Sequence, residues 1–282
     1  MKRQLEIMVL LVLAFVLVFI LVGSTAAKEK EVDSKLYEVL KRGKVKVGVT
    51  SIVPPVGFID QNNQLVGFEI DLAYLLAETL FKDKSKVELV TLDFAARWAA
   101  LDTEKVDCLI MTTTIYPKRL AKVAFTRPYV DSGIALIVRK DSPIKHLSDL
   151  NDENYTIAQM NNPASLERHE KYIPKAKMIF GAGSAEIFLA LKSGRADAAT
   201  VELMNAQWRL SREKNYRLLP ELLGAVNHNA IVLKQGDFTW WHYLDSFVME
   251  LTSGSLYKEY SAVYKKWLGV DAPPSRYYGI SR

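Results

Sequence analysis

Strand-like and helix-like hydrophobic periodicities alternate through most of this chain, and that alternation restricts it to an α/β architecture with largely parallel sheets. Val45, Val47 and Val49 alternate with Lys46 and Gly48 as a strand does, and Ile70, Ala73, Ala77 and Leu80 follow at helical spacing. Residues 87–91 read as the next strand and residues 94–101 as a helix. Residues 106–111 are apolar except for Asp107, the pattern of a strand buried on both faces. Pro117 suits the first turn of a helix, where its missing N–H costs nothing.

After a strand at 134–138 and a polar break at 139–143, a second series of the same kind begins. It has strands at 155–159, 177–180 and 196–201, a helix at 166–172, and a helix to Lys192 that Ser184 is placed to cap. A strand at 230–233 leads into a long helical region in which Trp241, Leu244, Val248 and Leu251 share one face. Trp240, Trp241 and Trp267 belong to this packing rather than to a ligand platform. In open α/β sheets ligands bind beyond the carboxyl ends of the strands. The loops after Val49, Met111, Gln159 and Thr200 are therefore the expected site.

The N-terminus carries an address. Lys2 and Arg3 precede an apolar run from Ile7 to Val22, and the small residues 23–27 precede a charged stretch. This is the pattern of a secretory signal peptide with cleavage near Ala26 or Ala27, and the run is short for a retained span. No cysteine follows it, so a lipid-modified N-terminus is not expected, and export to the periplasm or cell exterior is. Cys108 is the chain's one cysteine and lies in an apolar run, so it reads as a small buried hydrophobe. The 37 basic and 32 acidic residues are interspersed, leaving a net charge of +5 without the concentrated basic face of a nucleic-acid binder.

Several landmarks recur in the order and spacing of one family. They are residues 48–58 with Pro54-Pro55, then Leu65-Val66-Gly67-Phe68-Glu69-Ile70-Asp71-Leu72-Ala73, Val106-Asp107 and Pro117-Lys118-Arg119. Phe125-Thr126-Arg127-Pro128-Tyr129, Gly194-Arg195-Ala196-Asp197-Ala198 and Tyr264-Lys265-Lys266-Trp267-Leu268-Gly269 complete the set. From about residue 44 to 269 the chain resembles the type II periplasmic amino-acid-binding proteins, the bacterial extracellular solute-binding family 3. The resemblance implies a two-lobed fold, each lobe a mostly parallel sheet flanked by helices, joined by two hinge crossings. The expected divisions are a signal peptide at 1–27, lobe 1 at 28–137, lobe 2 at 138–230, and a return to lobe 1 with C-terminal helices at 231–282. It further implies a monomer that binds a small amino-acid-like ligand, needs no cofactor, and docks on the membrane permease of an ATP-driven importer.

Thr112 and Thr114 follow a buried strand, and Arg119 lies about one helical turn further on. A fixed guanidinium offers paired hydrogen bonds to a carboxylate, and hydroxyls add donors. In the family, positions matching Thr112, Thr114 and Arg119 clamp the ligand α-carboxylate. Glu202 stands where the family usually has an aspartate for the α-ammonium; a zwitterion needs each of its charges paired on burial. Phe94 matches a wall residue of the first lobe. Asn162 or Ser165, in a turn that replaces the common Gly-Thr-Thr, is placed to donate from the second. Many amino-acid binders have tyrosine at Val53 and phenylalanine at Val56. Thr50 and Ile52 stand where acidic residues often read a cationic side chain, which favours a neutral ligand over lysine, arginine and ornithine.

His146, His169, His228 and His242 have no metal-ligand spacing, and no nucleophile elbow or phosphate-binding glycine loop appears. The remaining enzymatic reading is a cyclohexadienyl dehydratase, which resembles these binding proteins and adds an acid inside the cleft. Three residues past Glu202, where that acid would be sought, this chain has Asn205; Glu202 itself, raised by burial, would be the substitute. The balance of residues favours binding without chemistry.

Overall fold

The computed structural model describes residues 33–275. The apolar N-terminal run and its expected cleavage point lie outside the described residues. Helix α1 (Lys35–Arg42) leads into β1 (Val45–Val49), which pairs in parallel with β5 (Val87–Thr91) on one side and β6 (Cys108–Leu109) on the other. The β1–β6 seam is tight at Gly48, where a Cβ would stand 2.4 Å from Leu109 Cδ2. Between β1 and β5 lie three short strands, β2 (Ile52–Val53), β3 (Gly57–Ile59) and β4 (Leu65–Val66), which form their own antiparallel sheet. Helix α2 (Phe68–Phe81) follows at once. The entry is possible only through Gly67, whose φ is 149° and whose Cβ would lie 2.2 Å from Val56 O.

Short helix α3 (Arg97–Asp102) precedes β6, and β7 (Ala124–Ser132) and β13 (Asn227–Leu233) complete a five-stranded sheet of order β5-β1-β6-β13-β7. The second sheet holds β8 (Ile134–Arg139), β9 (Thr156–Met160), β10 (Lys177–Gly181), β11 (Ala198–Glu202) and β12 (Tyr216–Leu222), in the order β10-β9-β11-β8-β12. Its helices are α4 (Pro163–Tyr172), α5 (Ser184–Lys192) and α6 (Leu203–Arg212).

The two sheets repeat one plan. In each, one strand runs against the rest: β13 in the first and β8 in the second. Each is the strand by which the chain arrives from the other sheet. A parallel neighbour requires a crossover, whereas an arriving strand is free to run in reverse. The passages are short. The chain leaves the first sheet at Gly133 and returns between Leu222 and Asn227. Residues 134–138, expected as the end of the first lobe, therefore sit in the second sheet, a few residues before the expected break. An apolar run reads alike in either sheet, so periodicity did not assign it.

Helices α7 (Phe238–Ser253) and α8 (Tyr257–Leu268) close the first lobe. Phe68 packs edge-on to Tyr260 and Tyr264 at centroid distances of 6.1 and 5.9 Å. Trp240 is fully buried and donates Nε1–H to Asp107 O at 3.0 Å; Trp267 donates to Asp71 Oδ2 at 2.7 Å. These two tryptophans are thus packing residues with their polar edges satisfied. Cys108 is buried, and burial pushes its thiol well above the ordinary range.

Three local expectations need correction. The helix read at 94–101 starts at Arg97, leaving Phe94 on the preceding turn with 37% of its surface exposed. Ser184 does not cap α5: Gly183 holds that position, and Glu186 of the first turn reaches back to accept the Ala182 N–H at 2.8 Å. Pro117 opens a single 3-10 turn (Pro117–Arg119) rather than a helix.

Candidate functional site

The loop after β6 is the most heavily braced part of the molecule. Thr112 has φ of 39°, in the left-handed region that β-branched residues avoid. It is held there by Glu69 of α2, whose Oε1 accepts the Thr112 N–H at 2.7 Å and the Thr112 hydroxyl at 3.1 Å. The Tyr129 hydroxyl donates to the same oxygen. Glu69 is 1% exposed, and its Oε2 is buried without a partner. Burial pushes its carboxyl up to about 7, against the downward pull of the three donors. Burial, followed by the neighbouring Glu69 carboxylate, also pushes the Tyr129 phenol well up.

The rest of this loop is tied to the returning strand. Thr114 donates its hydroxyl to Asn229 Oδ1 at 3.1 Å, and the Ile115 N–H donates to His228 O at 2.9 Å. Arg119 is anchored by Nη1 donating to Thr114 O at 2.7 Å. Its guanidinium lies 4.8 Å from the Tyr116 ring centroid and 5.8 Å from that of Trp98. It also borders a cavity of about 350 Å³ lined by Trp98, Asp102, Lys118, Lys122 and Val123. Phe94 lies beside Arg97, whose guanidinium is 5.4 Å from the Phe94 centroid and 4.5 Å from that of Trp98. The first-lobe candidates Phe94, Thr114 and Arg119 thus meet through Trp98, Tyr116 and Arg97, while both Thr112 donors turn to Glu69.

In the second sheet Glu202 ends β11, paired with Ile134 just past the first crossing. Its Oε2 accepts the Ser132 hydroxyl at 2.6 Å. Crowding by protein raises its carboxyl, and the Ser132 bond, the Arg168 charge and the Gly133 N–H pull it back. The side chain is nonetheless open to solvent along part of its length, so exposure keeps this shift small. Asn162 is the N-cap of α4, its Oδ1 accepting the Ser165 N–H at 2.9 Å. Arg168, one turn further on, donates to Ser165 Oγ at 3.3 Å and keeps a buried Nε without a partner. Asn162 therefore lies beyond the carboxyl end of β9 and Glu202 at that of β11, as Thr112 lies beyond that of β6.

The lobes touch through α6. Asn205 donates Nδ2–H to Pro54 O at 2.9 Å and accepts from Arg209 Nε at 3.0 Å. Trp208 meets Phe58 edge-on at 6.1 Å, and Met204 packs into the first lobe's core. Phe58 also meets Trp267 at 5.8 Å and is a packing residue.

Sequence reasoning missed Glu69, Arg97, Tyr129, Ser132, Arg168 and Asn229. A carboxylate at Glu69, between Phe68 and Ile70 on an otherwise apolar helix start, was a legible signal. The others depend on which strands and turns the fold brings together.

The family model for bacterial extracellular solute-binding proteins, family 3, matches residues 45–270. This chain belongs to that family. The glutamine-binding protein of Geobacillus stearothermophilus is 30% identical over 71% of this chain and 76% of its own. An ancestral cationic amino acid solute-binding protein shares the fold with a TM-score of 0.75 and 30% identity, over 83% of this chain and all of its own. A structure of an ancestral cyclohexadienyl dehydratase aligns with a TM-score of 0.60 and 26% identity, over 84% of this chain and 98% of its own. The family is extracellular or periplasmic, and among the described residues no helix is long and apolar enough to cross a membrane.

Proposed function

We propose that this solute-binding protein captures a free amino acid between lobes of about residues 35–132 with 227–275, and 134–222, and presents it to the permease of an ATP-driven importer. One observation carries the reading. A tethered cation, Arg119, and a carboxylate, Glu202, sit at or beyond the strand ends of two different sheets, joined by two short crossings. That is the charge arrangement a zwitterion needs, with one pole on each lobe. Arg119 takes the α-carboxylate, joined by Thr114 once its hydroxyl turns from Asn229 to the ligand, and Glu202 takes the α-ammonium. Phe94 forms a wall, and Asn162 helps to order the second-lobe turn. Closure is a hinge motion at Gly133 and residues 223–226, driven by contacts that exist only when both lobes meet the ligand. The permease and the monomeric state follow from the importers to which such binding proteins belong, and the N-terminal signal pattern suits export.

The dehydratase alternative would need an acid near Asn205. A carboxamide is no acid at neutral pH, and both polar ends of this one are committed, to Pro54 and Arg209. Glu202 is the other candidate acid: burial raises its carboxyl, as an acid requires, while the Ser132 hydroxyl and the Arg168 charge pull it back toward the charged form that an ammonium prefers.

A thermal-shift screen against the proteinogenic amino acids, prephenate and arogenate tests the reading. A ligand at 100 times its dissociation constant stabilises the fold by about 2.7 kcal/mol. A shift with one or a few amino acids, recovered unchanged, supports it; turnover of prephenate or arogenate replaces it. Glu202→Gln should weaken amino acids far more than the matching carboxylic acids without an amino group. Equal losses, measured by calorimetry, would remove the ammonium role.

A further inference from the structure

The first lobe carries one cation more than an α-carboxylate needs. Arg97 and Arg119 lie over the same Trp98 ring, at 4.5 and 5.8 Å from its centroid, and neither has a carboxylate within ion-pair distance among the described residues. Arg119 at least has the Thr114 carbonyl. The Arg97 guanidinium makes no hydrogen bond to any described residue, and its Nε is buried without a partner. Burial, then the charge of Arg119, lowers the Arg97 guanidinium to about 10, so it stays protonated at neutral pH under local like-charge repulsion. Asp102, on the cavity beside Arg119, is not close enough to pair with either.

Two guanidiniums held together on aromatic faces with unused donors form a receptor for anions. On the second lobe Arg168 also lacks a carboxylate within ion-pair distance, and its charge acts on Glu202. Arg97, Arg119 and Arg168 thus outnumber Glu202 three to one, whereas a neutral zwitterion asks for one cation and one anion. An excess of this sign repels basic side chains and leaves Arg97 unsatisfied by amides.

We infer that Arg97 and Arg119 form a two-guanidinium anion site, so that the ligand is an amino acid carrying a second anionic group on its side chain. This rests on the amino-acid-binding reading above and names its substrate class. Arg97 sets the specificity: it pairs with the side-chain anion, while Arg119 keeps the α-carboxylate. Trp98 and Phe94 orient the guanidinium, so that its loss of motion on binding is small.

Calorimetry of the purified protein with L-glutamate, L-aspartate, their amides and L-arginine tests the assignment, with L-cysteate and 2-amino-4-phosphonobutyrate separating carboxylate from other anions. An acidic amino acid should bind at least about tenfold tighter than its amide, and Arg97→Met should shrink that ratio by about tenfold or more. Arg97→Lys, which keeps charge but loses the fork, should restore part of the ratio; if the methionine variant fails to fold, the lysine variant decides by a partial loss. Tighter binding of an amide or of arginine, or equal losses for acid and amide in either variant, would overturn the anion site and leave amino-acid binding intact. Binding of no amino acid at all would overturn both.

Discussion

The two lobes share a strand order yet prepare their halves of the site in different ways. In the first, the loop after β6 is held by a buried carboxylate, a buried phenol and the returning strand, and its arginines lie on aromatic rings. In the second, Glu202 has one serine hydroxyl and Asn162 is occupied with capping α4. The cores differ likewise. The first lobe packs Phe68, Tyr129, Trp240, Tyr260 and Trp267 together, whereas the second is built of smaller aliphatic clusters with Phe188. A braced half supplies a receptor surface before ligand arrives, and a lightly held half adjusts as it closes. Under the proposed function, Arg119 would make first contact and Glu202 would complete the site.

Removing the braced cation should have the largest effect. Arg119→Ala should cost roughly 2–5 kcal/mol of ligand binding while the protein stays folded, because it strands a ligand carboxylate. Calorimetry showing wild-type affinity would take Arg119 out of the site and reverse the order of events.

Glu69→Gln probes the brace itself. The folded carboxyl is raised from an ordinary 4.5 to about 7, so the folded state holds its proton more tightly than the unfolded one. This contribution is fully present below about pH 4.5 and is lost as pH rises toward 7, by roughly 3 kcal/mol in total. Glutamine cannot ionise but keeps an acceptor for Thr112, so the variant should lack this fall. Parallel stability curves for the two proteins between pH 5 and 8, from denaturant titrations, would show that Glu69 does not titrate there.

The smallest change is expected in the second lobe. Asn162→Ala should destabilise the fold by about 1 kcal/mol, the usual worth of an N-cap. If Asn162 acts only by ordering the turn, affinity should fall modestly and alike for every ligand. A loss confined to one ligand would mean direct contact, and would make the second lobe more discriminating than its sparse bracing suggests.

Much of this molecule was legible in its residues. The alternation of apolar periods prescribed an α/β fold, because a strand buried on both faces and a helix with one apolar stripe leave different marks. The landmarks around Gly67, Arg119 and Trp267 carried the family, while Arg119 and Glu202 as opposite poles of a site remain a proposal that the binding variants test. Less was legible where partners are far apart along the chain. Glu69 meets Thr112 and Tyr129 across 43 and 60 residues, and Thr114 meets Asn229 across 115. Arg97 looked like an ordinary helix residue until Trp98 and Arg119 were seen around it.

Local pattern decided what each segment would become, since periodicity and glycine conformation act over a few residues. Tertiary structure alone decided which sheet owns residues 134–138, that Thr112 turns both donors inward, and that two like charges share one ring. These outcomes turn on hydrogen bonds and desolvation between segments that only folding brings together, and no short window of sequence contains them.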